Sequence, residues 1–532
     1  MTDTKKTKQP NFVLFITDQH RADHLGCYGN PVVQTPNIDR LAAGGIAFDK
    51  FYVATPVCMP NRASLVTGRM PSANGARHNG IPLSVDSVTF VDLLRAAGYR
   101  TALVGKSHIQ NMTGRPSVPP SSPNPDFTDP PEGLQNAVAR DMTGPAYQRE
   151  ASPQWLADPD REIELPFYGF DHVRLCSNHG DQVSGHYTAW LRDKGGDASQ
   201  LVGPDNALPD QQYGAPQAWR TKVPEELYPT SYIAEEAVGY LQDHISQDTD
   251  APFFLKVSFP DPHHPFTPPG HYWGMYDPND VAVPATFDDK IDNPMPRVPE
   301  LAQALRNEHK NPMAVLRVNE FEAQSAIALN YGMITMIDDA VGRIVAQLKA
   351  LGLDDNTVVM FTSDHGDFMG DRGVLFKFGM HYQELIRVPF VWCDPDRGDG
   401  GTRSERVCGT IDISASVLAR AGLNPYFGMQ GISVFDETRA HLGMIVEDYT
   451  ANYVLDPRAG AHFASLVTDR WRVTHYESSD WGELYDLRED PEERNNLWDD
   501  ISAAADKAVL HEQMVRQLLI LRDKPMAPPG RA

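Results

Sequence analysis

Short apolar runs along the chain stop abruptly at polar residues, and they do so four times. Residues 11–16 are rich in β-forming side chains and end at Thr17-Asp18-Gln19-His20. Residues 100–104 end at Gly105-Lys106-Ser107-His108, and residues 252–259 at Pro260-Asp261-Pro262-His263-His264-Pro265. Residues 357–362 end at Ser363-Asp364-His365-Gly366. Continuous apolar runs of this length predict strands buried on both faces of a parallel sheet. Helical spacing fills the intervals. Thr35 is placed to cap a helix opened by Pro36, with Ile38, Leu41 and Ala42 on one face and Gly44-Gly45 as the stop. Residues 89–98, 230–245, 318–351 and 410–421 carry further helical patterns, and 62–68 a short one. Residues 47–54 and 388–392 add two strands. The alternation predicts an α/β fold, a large and mostly parallel sheet sandwiched by helices.

The pattern changes twice. Between residues 110 and 223 regularity gives way to Pro119-Pro120, Pro130-Pro131 and scattered Asp, Ser and Gly. A structureless loop of this length is unusual inside a compact domain, so the stretch is expected to hold short elements packed over the core. Its aromatics (Trp155, Phe167, Tyr168, Tyr187, Trp190) fit a substrate-shaping insertion, though core packing explains them equally well. Beyond residue 430, short strands are predicted at 443–446, 463–468, 471–476 and 483–487, then a helix over 503–522. The expected division is a catalytic domain over residues 1–430 and a smaller α+β subdomain with an antiparallel sheet over 431–532.

With 532 residues the chain is too long for one small core. Asp plus Glu (71) outnumber Lys plus Arg (47), giving a formal net charge of −24 that no long basic run offsets. That argues against nucleic-acid binding and against docking on an anionic membrane surface. An anionic substrate must therefore be attracted locally. The five cysteines are odd in number and widely spaced, and they describe neither a disulfide framework nor a zinc pattern. Residues 1–10 are polar, and the apolar run at 12–16 is too short for a signal peptide or a membrane span. A cytoplasmic protein is expected.

Asp18, Asp364 and His365 offer oxygen and nitrogen donors suited to a divalent cation. One such pair is commonly a solvated turn. The same polar ending on four strands points instead to one shared site, because open α/β sheets keep their chemistry at the carboxyl ends. The second candidate is Cys58-Met59-Pro60-Asn61-Arg62, continuing to Thr67-Gly68-Arg69. A cysteine taken alone is more often a buried hydrophobe than a nucleophile. Here Pro60 is placed to open a helix whose positive end, together with Arg62, would lower a thiol pKa and attract an anion. The residues alone describe a reactive side chain in an anion-binding pocket beside a metal.

These motifs carry a resemblance. Cys58-Met59-Pro60-Asn61-Arg62 with Thr67-Gly68-Arg69 resembles the signature of the type I sulfatases, members of the alkaline phosphatase superfamily. Asp18-Gln19, Gly105-Lys106-Ser107-His108, Pro262-His263-His264-Pro265, Asp364-His365-Gly366 and Lys377 come in the family's order. Glu483-Leu484-Tyr485-Asp486-Leu487 resembles the family's C-terminal domain. The resemblance implies that a maturation enzyme converts Cys58 to formylglycine, whose hydrate binds the metal through one oxygen and attacks sulfur. Asp18, Gln19, Asp364 and His365 would complete the metal site, for calcium or manganese ahead of zinc. Arg62 would hold the nucleophile region, Lys106 would lie near the hydrate, and Lys377 would neutralise sulfate oxygens. His263 would serve the leaving oxygen, and His108 would take the proton when the sulfated diol breaks down. The implied partners are a small anionic sulfate ester and further copies of the chain in a dimer or tetramer. The tail at 525–532 either wraps a neighbouring subunit, as tails do in related hydrolases, or frays.

The chain departs from the common pattern at Gln19, where many sulfatases carry a second aspartate. Glutamine also occurs there in the choline-sulfatase-like and phosphonate monoester hydrolase branches. Asn79, before Gly80, is either a substrate-reaching residue as in the latter branch or a plain turn residue. Sulfate monoester hydrolysis of the arylsulfatase type is expected first, because Lys106 and His108 suit it. A phosphonate monoester or phosphodiester hydrolase using the same nucleophile is the second reading, mixed activity included. A non-catalytic anion-binding protein, with Cys58 left as a thiol, is the third.

Overall fold

A computed structural model of the chain describes residues 9–115, 142–247, 249–289, 316–377, 379–449, 462–477 and 479–523, with residues 128, 131, 133 and 134. The strands of the first half are β1 (Asn11–Thr17), β2 (Ile46–Phe48), β3 (Phe51–Tyr52), β4 (Arg100–Gly105), β5 (His172–Ser177), β6 (Ser184–Gly185) and β7 (Phe253–Ser258). Next come β8 (Leu316–Arg317), β9 (Thr357–Ser363), β10 (Val374–Leu375), β11 (Phe390–Cys393), β12 (Thr402–Ser404) and β13 (Cys408–Gly409). The main sheet has nine strands in the order β12-β2-β11-β9-β1-β7-β4-β5-β6. β9, β1, β7, β4 and β5 run parallel. β11 is antiparallel to β9 and β2, and β6 to β5.

The register of the central strands aligns their carboxyl ends. Thr17 stands opposite Ser363, Ile16 opposite Ser258, and Gly105 opposite Ser258. The chain therefore leaves β1, β9, β7 and β4 at one level, with Asp18, Asp364, Phe259 and Lys106 as the next residues. Every residue of β1 is buried because the strand is paired on both sides and covered on both faces. Its alternate side chains serve two cores. Val13 and Phe15 pack with α1 (Pro36–Gly44), with α4 (His186–Asp193) and α5 (Pro229–Ser246), and with the long α6 (Glu320–Ala350). Phe12, Leu14 and Ile16 pack with α2 (Cys58–Thr67), α3 (Phe90–Ala96) and α7 (Thr410–Arg420). α3 and α6 both start with a capping box, Thr89 with Asp92 and Asn319 with Glu322.

The C-terminal strands β14 (Met444–Asp448), β15 (Phe463–Val467), β16 (Trp471–Tyr476) and β17 (Gly482–Asp486) form an antiparallel meander followed by α8 (Ala504–Ile520), as expected. Ile445, Leu466, Val473 and Leu484 share a core with α2 and α7. Polar ties reinforce that packing. Arg472 pairs with Glu493 and with Glu483 at 2.6 Å, and Arg372 donates to the Glu492 carbonyl at 2.6 Å. The loop after the meander, anchored by Arg472, thus braces the segment that carries Arg372.

Several expectations are corrected. Residues 47–54 break at Asp49-Lys50, so that β2 joins the main sheet while β3 pairs with β13. The strand expected at 388–392 begins at Phe390 and runs antiparallel. Thr35 precedes α1 without capping it, because its hydroxyl donates to Asp39 Oδ1 at 3.0 Å instead. Within 110–223, β5 and β6 extend the main sheet rather than only packing over it. The 525–532 tail lies outside the described residues. Among the described residues, no helix is long and apolar enough to cross a membrane.

Candidate active site

α2 starts at Cys58, two residues before the proline expected to open it. Val57 precedes it in extended conformation, and Pro60 occupies the third helical position. A proline is tolerated there because the first N–H groups of a helix have no intrahelical partner. Cys58 therefore sits in the first turn, at the positive end of a wholly buried helix. Asn61 locks that end in place. Its Nδ2 donates to the Asp364 carbonyl at 2.5 Å, while its Oδ1 accepts from Ala54 N at 3.0 Å and Thr410 Oγ1 at 2.7 Å. Asn79 Oδ1 accepts from Met59 N at 3.2 Å, which satisfies one of the orphan donors.

Arg62, one turn further on, has a fully buried guanidinium that gathers the strand ends. Nε donates to Asp364 Oδ2 at 2.7 Å, Nη1 to Ser258 Oγ at 2.8 Å and to the Lys106 carbonyl at 3.1 Å. Nη2 reaches Asp18 Oδ2 at 3.4 Å. Lys106 Nζ bonds the same Asp18 oxygen. Gly105, with φ of 101°, makes this approach possible, since a Cβ there would lie 1.9 Å from the Ser258 carbonyl oxygen. Gln19 takes φ of 60° and donates its N–H to Asp364 Oδ1 at 3.1 Å. Burial pushes the Asp18 carboxyl up, but Lys106, Arg62 and Lys377 outweigh it and hold Asp18 well below the usual carboxylate range. Burial and Asp18 likewise push the Cys58 thiol up, and Lys377 with His365 brings it below its ordinary value.

Asp18, Cys58, Asp364 and His365 present one donor atom each, all within 4.8 Å of one another. His365 Nδ1 faces the Gly366 carbonyl at 2.9 Å. Burial and Lys377 push the His365 pKa down, but Asp364 and Cys58 outweigh them and raise it above its ordinary value. In the neutral ring, because a carbonyl only accepts, the proton sits on Nδ1 and Nε2 keeps its lone pair, the usual arrangement of a metal-binding imidazole. Nε2 lies 3.5 Å from both Asp18 Oδ1 and Asp364 Oδ1. Asp18 Oδ1 and Gln19 Oε1 are buried oxygens that accept no hydrogen bond. Such groups are costly unless something coordinates them, so the donor set fits a divalent cation. Lys377 Nζ lies 2.8 Å from Cys58 Sγ and 2.6 Å from His365 Nε2.

The imidazoles of the other strand ends stand beside this cluster. His263 Nδ1 donates to the His264 carbonyl, and its Nε2 is buried without a partner. His264 turns the other way, bonding Gln19 Nε2 at 3.1 Å and packing on Phe376 with ring centres 3.9 Å apart. His108 takes φ of 52°, and its Nδ1 is buried without a partner. Burial, reinforced for His108 by Lys106 and for His263 by His179 and His264, holds both imidazoles well below their ordinary pKa. Both rings are neutral at pH 7. His179 was missed by sequence reasoning. It follows β5, lies 2.5 Å from Lys106 Nζ, and stacks on His263 with ring centres 3.7 Å apart. Its signal was a polar residue just past a strand, hidden because β5 alternates polar and apolar residues. Ser258, the last residue of β7, was missed for a simpler reason: it reads as part of the strand.

Cys58, Arg62, Lys106, His108, His263, Lys377 and the four candidate ligands thus converge, and Asn79 stands at the N-terminus of α2. The same order of motifs is found in known proteins. The family model described as Sulfatase matches residues 10–423, and one described as N-sulphoglucosamine sulphohydrolase, C-terminal, matches residues 370–519.

This chain belongs to the sulfatase family.

It is a hydrolase of sulfate esters. An arylsulfatase of Clostridium perfringens is 29% identical over 506 residues, covering 92% of this chain and 90% of the relative. The multifunctional alkaline phosphatase superfamily protein PehA of Trinickia caryophylli is 26% identical over 522 residues, covering 93% and 92%. The crystal structure of the phosphonate monoester hydrolase of Agrobacterium radiobacter superposes with a TM-score of 0.73 at 26% identity, over 97% of this chain and 96% of the other.

Proposed function

We propose that this sulfatase hydrolyses sulfate monoesters of the arylsulfatase type, with residue 58 working as formylglycine and one divalent cation held by Asp18, Gln19, Asp364 and His365. The observation that carries the reading is the buried cluster in which the Cys58 side chain meets His365 at 3.2 Å and Lys377 at 2.8 Å, beside two carboxylates. When present, the formylglycine hydrate supplies the attacking oxygen and the cation lowers its pKa and neutralises a sulfate oxygen. The chain's own residues do the rest. Lys377 neutralises non-bridging oxygens of the sulfuryl group. Arg62 orients Asp18 and Asp364, since its bonds go to protein groups rather than to a pocket. Lys106 neutralises Asp18, and His108, kept neutral by burial, accepts a proton at its unpartnered Nδ1. Calcium or manganese fits the oxygen-rich donor set, and His365 keeps zinc open.

His263 serves the leaving oxygen. Its Nδ1–H is engaged, so the nitrogen that can meet a substrate is Nε2, a lone pair in the neutral ring. An entering sulfate anion favours the imidazolium form and loads Nε2 with the proton that the departing oxygen needs. His263→Ala is therefore expected to slow esters of poor leaving groups by about 10²–10³-fold and activated aryl esters by less than about tenfold. The check is a leaving-group series of kcat/KM values; an equal loss across it would remove His263 from this role.

The likeness to a phosphonate monoester hydrolase, together with Gln19 and Asn79, supports a second activity on phosphonate monoesters or phosphodiesters. These share a charged tetrahedral centre with sulfate esters. Parallel kcat/KM measurements on an aryl sulfate, an aryl phosphonate monoester and a phosphodiester test the ranking. The sulfate ester is expected to be the best of the three, and a sulfate value that is the smallest would reverse it.

A further inference from the structure

Behind the turn that carries Lys106 and His108 lies a carboxylate that the chemistry above does not use. Glu150 is fully buried. Its two oxygens collect three consecutive backbone N–H groups. His108 N donates to Oε2 at 2.6 Å, and Ile109 N and Gln110 N donate to Oε1 at 3.1 and 2.9 Å. Successive N–H groups converge on one anion only where the chain turns sharply. His108 makes that turn with φ of 52°, a left-handed conformation that a residue with a Cβ holds only when its surroundings impose it. Gln110 fastens the same two segments from the other side. Its Oε1 accepts from Arg149 N at 3.0 Å, and its Nε2 donates to the Ala146 carbonyl at 2.8 Å. Burial pushes the Glu150 carboxyl up, and the three N–H bonds pull against it. Lys256, buried in β7 and lowered to about 7 by burial and Arg62, finds in Glu150 an opposing negative charge.

We propose that Glu150 is a positioning residue: its carboxylate imposes the left-handed turn at His108 and so aims the His108 imidazole into the active site. The inference rests on the role given to His108 above. Three N–H donors need acceptors on both oxygens, and a glutamine cannot supply them. Its amide nitrogen would face an N–H group, which frees either His108 or the Ile109–Gln110 pair.

The test compares variants of the matured enzyme on an aryl sulfate. Glu150→Gln is expected to lower kcat about 30- to 100-fold with KM within about threefold, as a misplaced catalytic group does. Glu150→Asp, which keeps the charge on a shorter arm, is expected to recover at least about fivefold of that loss. It also keeps the test decisive if the glutamine variant does not fold. In a His108→Ala background, Glu150→Gln is expected to cost less than about threefold more. Trp155→Phe loosens the same segment by removing the bond from Nε1 to the Arg149 carbonyl at 2.8 Å. It is expected to lower the melting temperature and leave kcat within about threefold. Glu150→Gln with full kcat, or with the same fold loss in both backgrounds, overturns the proposal alone. His108→Ala with full activity overturns the reading of His108, and the proposal with it.

Discussion

Replacing Cys58 with alanine removes at least about 10⁴-fold of kcat toward sulfate esters, the scale of losing a nucleophile, while the protein still melts cooperatively near the wild-type temperature. Both halves come from the site itself. Cys58 makes its polar contacts with Lys377 and His365, and these two also contact each other directly, at 2.6 Å. Arg62, Asp364 and Asn61 hold the strand ends together through bonds that do not involve residue 58. Truncation therefore deletes the reacting group from an assembled pocket. Steady-state kinetics on the purified variant, with a thermal melt alongside, reads both. Undiminished turnover in a folded variant would show that residue 58 is not the nucleophile.

Arg62→Ala is the substitution expected to cost most in stability. The guanidinium and both of its carboxylate partners are fully buried. Removing one partner of a buried ion pair leaves charges with neither water nor a counter-ion, at a cost of about 3–5 kcal/mol. The loss is largest in chelator, because a cation between Asp18 and Asp364 replaces part of the missing positive charge. Arg62→Lys recovers little, since an ammonium cannot serve Asp364, Ser258 and the Lys106 carbonyl with one planar fork. Denaturant unfolding in chelator and in added calcium measures it. A loss below about 1 kcal/mol in chelator would mean that Arg62 does not hold the two carboxylates together.

The four strand ends were legible because each closes a largely apolar run, Lys256 of β7 being a charged exception, and a strand buried on both faces keeps most of its polar residues for the point where it leaves the sheet. That rule located Asp18, Lys106, His263 and Asp364, and their convergence needed only the parallel register. It failed at β5, where His172 and Arg174 are half-exposed and interrupt the run. His179 was lost with it. The helix at Cys58 starts two residues earlier than its proline implies, because proline favours the first helical position and Pro60 sits at the third. Glu150 had no sequence signal. It lies in an irregular stretch, and its importance comes from three backbone N–H groups some 40 residues earlier, a match visible only in three dimensions.

The mass of the peptide that contains residue 58, taken from protein that turns over a sulfate ester, tests the nucleophile most directly. The expected result is the aldehyde of formylglycine, or its hydrate, in the active fraction, with turnover proportional to its share. A thiol at residue 58 in protein of full activity would contradict it.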